Sequence, residues 1–299
     1  ACNWGGCAGE GECTPMQTRS CGFCGTQVCG ADFNWGACGG GGVCEPFDSQ
    51  ACGLGGTQFC GSTCGWGACS AQDTGLSIGS GDYTVGADSA AYDFGDAFTV
   101  ELYVRVAATQ PSSLPALVST RSNASGSTSG WRMGLNFVSV FGPLGVPLIG
   151  SGSQVWVPDA GPDIRDGDLH HVAVVCSGAL IYYVDGVEID REGTCPSSLR
   201  NEMAAGAIVL GGEPSITPAY GFVGDMHNVR VWNVGLSAGQ ISSHAMGTHP
   251  SAMASGLVSW WRLDEGMGQT AADARGVGAM TLGSTAGVDT NDPSWTPLP

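Results

Sequence analysis

Twelve of the fourteen cysteines fall between Cys2 and Cys69, and they recur on a fixed period. Trp4-Gly5, Trp35-Gly36 and Trp66-Gly67 stand 31 residues apart, and Cys7, Cys13, Cys21 and Cys29 return as Cys38, Cys44, Cys52 and Cys60. Self-similarity at one period means stacked units. A segment with so few apolar residues needs covalent staples in place of a core. The sequence therefore divides into a cysteine-rich repeat module over 1–71 and a larger domain over 72–299.

Two cysteines depart from the period. Cys2 corresponds to Phe33 and Cys24 to Gly55, so both are missing from the same repeat. That coincidence suggests a Cys2–Cys24 bridge, with the other four cysteines of each repeat bonding among themselves. Cys64 and Cys69 are left over, open to pairing. Zinc is the rival, because Cys21-x-x-Cys24 has ligand spacing. The second repeat keeps only Cys52 of that pair, and no His lies among the repeats.

An even, high cysteine count points to an oxidising compartment, outside the cell. The chain opens at Ala1, which reads as export with a cleaved signal peptide. The longest apolar run, Phe137 to Gly150, is broken by Pro143 and Pro147, so membrane insertion is not expected. The net charge is -17, and every basic residue is Arg. Nucleic acid and anionic membrane are poor partners for such a chain. Divalent cations are better ones, since carboxylates in turns make Ca²⁺ sites.

Past Thr74 the text alternates. Phe98, Val100, Leu102, Val104 and Val106 take every second place, the period of a strand with one buried face. Val172–Cys176 and Ile181–Val184 follow, and Asp185-Gly186 is a strong hairpin signal leading into Val187–Ile189. Ser237 and Gln240 fit a capping box for one short helix. Short strands, turn glycines and no βαβ rhythm give an all-β sandwich.

Gly81-Asp82-Tyr83, Phe98–Glu101, Asp168–His171, Tyr183–Gly186 and Gly224–Trp232 together resemble the laminin-G-like (pentraxin-related) jelly roll of the concanavalin A type. The repeats resemble cysteine-rich repeats of secreted bacterial proteins. The resemblance implies a concanavalin A-like β-sandwich that commonly holds Ca²⁺ in end turns, and Asp82, Asp225 and Asp273 are the matching positions. Each could instead cap a turn. Cys176 and Cys195 flank the hairpin, and a bridge closing that loop contributes about 3 kcal/mol.

Glu188-Ile-Asp190-Arg-Glu192 imitates the catalytic strand of retaining glucanases on this sandwich, and alternation would put its three carboxylates on one face. Arg191 replaces the usual apolar residue there, and the return arm of a hairpin normally faces water, so no enzyme is expected. His170 and His171 are adjacent and point to opposite faces. Asn123-Ala-Ser125 is a glycosylation sequon. Two functions follow. One is a structural or adhesive protein that self-associates into a homopolymer, such as a surface filament. The other is a Ca²⁺-dependent lectin that binds glycans through aromatics such as Trp131 or Trp156.

Overall fold

A computed structural model describes residues 12–22, 24–44, 48–52, 56–61, 64–66, 74–122, 129–199, 206–213 and 220–298. Chain contacts separate two compact units, with the division between Asp73 and Thr74.

In the first unit, β1 (Thr18–Cys21) and β2 (Gly25–Val28) form one antiparallel hairpin, and β3 (Ser49–Cys52) and β4 (Gly56–Phe59) form its copy. Cys13–Cys29 and Cys44–Cys60 each close a repeat on itself. The other bonds correct the sequence reading. Cys21 crosses to Cys38, the first cysteine of the next repeat. Cys24 bonds to Cys64 rather than to Cys2, so Cys64 is not left for Cys69. Cys64 occupies the same repeat position as Cys2, two periods later. Cys24 therefore bonds to that repeat position in a later copy, not within its own repeat. Period alone does not say which copy of a position a sulfur reaches. Cys2 itself lies outside the described residues.

The second unit runs β5 (Thr74–Ile78), β6 (Thr84–Gly86), β7 (Ala97–Val106), β8 (Ala116–Ser119), β9 (Trp131–Leu135), β10 (Pro147–Ser151), β11 (Gln154–Trp156), β12 (Leu169–Ser177), β13 (Ala179–Val184), β14 (Val187–Glu192), β15 (Ile208–Leu210), β16 (Gly224–Trp232), α1 (Ala238–Ala245), β17 (Leu257–Trp261), β18 (Thr270–Ala271), β19 (Met280–Leu282) and β20 (Ser294–Pro297). The first sheet is ordered β14-β13-β12-β7-β16-β5-β20, with β17 also on β16. The second is ordered β11-β10-β9-β8-β15-β6-β19-β18. The C-terminal strands complete this chain's own sandwich: β17 pairs with β16, β19 with β6 and β20 with β5.

Alternation in β7 does what a period of two requires. Phe98, Val100, Leu102 and Val104 enter the core between the sheets, beside Trp131, Met133, Tyr182 and Trp261. Strands β8, β9 and β10 are buried along their whole length and lack the alternation that marks β7. A second apolar cluster of Val175, Tyr183, Trp232, Ile241 and Trp260 lies on the outer face of the first sheet, where α1 packs. The helix starts on the Ser237–Gln240 capping box. Cys176 and Cys195 are bonded across the β13–β14 hairpin.

Beneath α1, Glu101 is fully buried and is met by four side chains. Nδ1 of His244 lies 2.9 Å and Nε2 of His171 3.2 Å from its oxygens, Trp232 donates at 3.0 Å, and Arg230 lies at 3.4 Å. Burial opposes its ionisation, but the two histidines and Arg230 outweigh that and hold it well below the usual carboxylate range.

Candidate functional site

The turn after β5 is closed by its own aspartate. The backbone N–H of Gly79 donates to Oδ2 of Asp82 at 2.9 Å, and Asp82 N–H returns a bond to Gly79 O at 3.2 Å. Burial, and then the nearby charge of Asp292, raise the Asp82 carboxyl. A C-terminal loop is strapped onto this turn. Tyr83 N–H donates to Asn291 O at 3.1 Å, and the Asn291 amide donates to Gly81 O at 2.9 Å.

A cleft of about 490 Å³ opens against the turn. Asp82, Tyr83 and Asn291 line one side, and Pro111, Gly211 and Gly212 the other. Gly211 has φ +86°, and a Cβ there would press on Ile78. At the back of the cleft Glu213 is buried. Arg121 meets both of its oxygens at 3.1 Å, Arg132 lies 3.5 Å away, and the Tyr220 ring covers both guanidiniums. Burial pulls the Arg132 guanidinium below its ordinary range. Glu213 is thus committed to arginine, which leaves Asp82 as the carboxylate lining the cleft that no arginine neutralises.

A second cleft, of about 460 Å³, lies against the other half of the same turn. Ser77 and Gly79 form its edge, with Arg105, Arg165, Asp166 and Asp225 around it. Arg105 Nε donates to Asp225 Oδ2 at 2.6 Å, and that pair sits a third exposed on the arginine side. Asp166 holds His170 at 3.0 Å, and Asp185 holds the other ring nitrogen at 2.8 Å. Burial works against His170 protonation, but these two carboxylates overcome it and raise the ring's affinity for a proton.

Of the three aspartates expected as Ca²⁺ ligands, Asp82 lines the first cleft and Asp225 the second, each with the protein partners just described. Asp273 stands apart beside β17. Its oxygens take Ser259 Oγ and the backbone N–H groups of Trp260, Arg275, Val277 and Gly278. These three do not make one ligand set. Among the described residues no group of three or more His, Cys, Asp or Glu side chains is assembled as for a metal. Oδ1 of Asp292 is buried with no hydrogen-bond partner, and a Cβ on Gly283 would collide with it and with Oδ1 of Asp289.

The glucanase-like strand does not assemble its carboxylates. A β-bulge opposite Tyr182 and Tyr183 pairs Glu188 with Tyr183 and Asp190 with Tyr182. Glu188 therefore faces the outer cluster and bonds Arg191 at 2.7 Å, while Asp190 and Glu192 face the other way. The one-face expectation fails because the bulge breaks the period of two. Of the two expected sugar platforms, Trp131 fails as well, whereas Trp156 stays partly exposed. Trp131 is fully buried and donates to Tyr92 O at 2.8 Å, and Trp156 packs on the core. Asn123 lies outside the described residues. Sequence reasoning did not single out Asn291, Arg105 or Arg165 as site residues. The only available signal was the turn-forming run Thr290-Asn291-Asp292-Pro293.

The family model for the concanavalin A-like lectin/glucanases superfamily matches residues 79–242, more than half of the chain. The chain belongs to that superfamily. Over 108 residues it is 33% identical to the sushi, von Willebrand factor type A, EGF and pentraxin domain-containing protein 1 of Rattus norvegicus, a stretch covering 33% of this chain and 3% of that protein. A structure from Bacteroides ovatus, named provisionally as a carbohydrate-binding protein, matches with a TM-score of 0.56 at 17% identity. That match covers 77% of this chain and 61% of the other, and at that identity the likeness is one of fold. A heptameric pentraxin from Limulus polyphemus matches with a TM-score of 0.45 at 17% identity, over 60% of this chain and 84% of that one.

Proposed function

We propose that this is an extracellular, non-catalytic glycan-binding protein whose first cleft takes a neutral sugar, with the disulfide-bonded module as a spacer. The observation carrying this reading is the convergence of Asp82, Asn291 and Tyr83 on one glycine-walled cleft. A carboxylate accepts from adjacent hydroxyls, an amide both donates and accepts, and a tyrosine ring packs on the C–H face of a pyranose. The superfamily's lectins and the disulfides support the reading. Calcium belongs to it too. A cation on Asp289 and Asp292 would stiffen the loop that carries Asn291, which makes binding Ca²⁺-dependent.

The test is retention on a panel of immobilised polysaccharides, with and without chelator, for the full chain and for Asp82→Ala and Tyr83→Ala. Retention lost in both variants supports the cleft. Equal elution of all three proteins on every resin sinks it.

Self-association is the second reading, and the Cys24–Cys64 bond favours it, because it staples one hairpin to a segment 40 residues on and so ties successive repeats together. Electron microscopy of the full chain beside Cys24→Ser/Cys64→Ser tests it. Fibres lost in the variant support it, and single particles in both discard it.

A further inference from the structure

The two clefts share their walls. Residues 77–79 border the second cleft and 80–83 the first; Ala107 and Ala108 border the second and Pro111 the first; Val223 to Asp225 border the second and Gly221 the first. In each of these three segments the chain passes from one cleft to the other within three residues. At 3.8 Å between consecutive Cα atoms, that places the clefts within about 4–11 Å of each other along every shared wall. The partition is firm. The Gln110 amide donates to Ala107 O at 3.0 Å and to Val223 O at 2.6 Å, and its oxygen accepts from Val223 N–H at 2.8 Å.

From this juxtaposition we propose that the second cleft is a further subsite of the same binding site, so that the protein reads an extended neutral oligosaccharide lying across the Gly79–Asp82 turn. The inference rests on the glycan-binding reading of the first cleft. The chemistry of the second cleft fits a sugar that is neutral. Its two guanidiniums are matched by carboxylates, Arg105 by Asp225 and Arg165 by Asp163. Each guanidinium has five N–H donors and spends only some of them on its partner. Both arginines remain partly exposed, at 32% and 26% of the side chain. The spare donors share the cleft with the carboxylates of Asp225 and Asp166, so sugar hydroxyls meet both donors and acceptors there, and the carboxylates oppose an anionic ligand.

Titration calorimetry of the full chain with monosaccharides and their oligomers from mannan, xylan and β-glucan tests this. The oligomers of the ligand that binds should bind about tenfold tighter than the monosaccharide. Arg165→Ala, in an exposed loop, and Arg105→Gln should each reduce that gain while leaving monosaccharide affinity unchanged. Two variants guard against one of them failing to fold. Equal affinity at every chain length, with the monosaccharide still bound, overturns the extended site and leaves the first cleft intact. Binding of no ladder at all overturns the glycan reading itself.

Discussion

Nδ1 of His244 lies 2.9 Å from Oε1 of Glu101, which fastens helix α1 to the central strand of the first sheet. Tyr103 adds a second tie by donating to the backbone oxygen of His244 at 2.6 Å. Arg230 is as buried as Glu101, so neither charge has water to fall back on. Removing one partner of a buried pair leaves the other uncompensated, at a cost of about 3–5 kcal/mol. Glu101→Ala is expected to lose that much stability in a denaturant titration. A loss below about 1 kcal/mol would mean the pair is idle.

The same carboxylate sets an acid limit. Its pKa in the folded protein lies below the 4.5 of the free side chain, so between the two values the unfolded chain binds more protons. Its stabilising contribution is therefore complete above pH 4.5 and drains away as pH falls toward the folded value. Thermal denaturation between about pH 6 and about pH 3 should show a steeper loss for the native protein than for Glu101→Gln, which has no proton to gain. Parallel curves would assign the acid limit to other carboxylates.

The Cys21–Cys38 bond carries an expectation for the next repeat. Cys21–Cys38 moved by one period becomes Cys52–Cys69, which lies outside the described residues. Peptide mapping under non-reducing conditions is expected to recover that pair together with Cys24–Cys64. A Cys64–Cys69 peptide would contradict both. In the second unit, replacing Cys176 and Cys195 by Ser opens a loop of 19 residues and should cost about 3 kcal/mol.

Sequence reasoning reached those parts of the fold where the chemistry is local. Alternation marked β7, Asp185-Gly186 marked the hairpin, and Ser237 with Gln240 marked the start of α1, because each signal sits within a few residues. Strands β9 and β10 stayed hidden because they are buried throughout and carry no period. Asp82 and Asp225 were singled out one by one. What they line was not visible, because the clefts are built from segments as far apart as Ser77 and Asn291. Glu188 misled for a related reason, since a bulge changes which face a residue takes without changing its spelling.

A Ca²⁺ ion held by Asp289 and Asp292, as proposed, would leave its own mark on stability. Oδ1 of Asp292 is buried without a partner, an arrangement that costs free energy unless a cation or water meets it. Asp289 is already held at about 2 by bonds from Ser284, Asn291 and Thr285, so it stays ionised over the whole working range. Calcium at about 100 times its dissociation constant would stabilise the folded chain by about 2.7 kcal/mol. Differential scanning calorimetry should therefore show a melting temperature that rises with Ca²⁺ and falls in chelator. Asp292→Ala should abolish the rise, whereas Asp273→Asn should keep it, because the Asp273 oxygens are occupied by five donors of the protein itself. A Ca²⁺ response that survives in Asp292→Ala but disappears in Asp273→Asn would return the metal to the position first expected from the sequence.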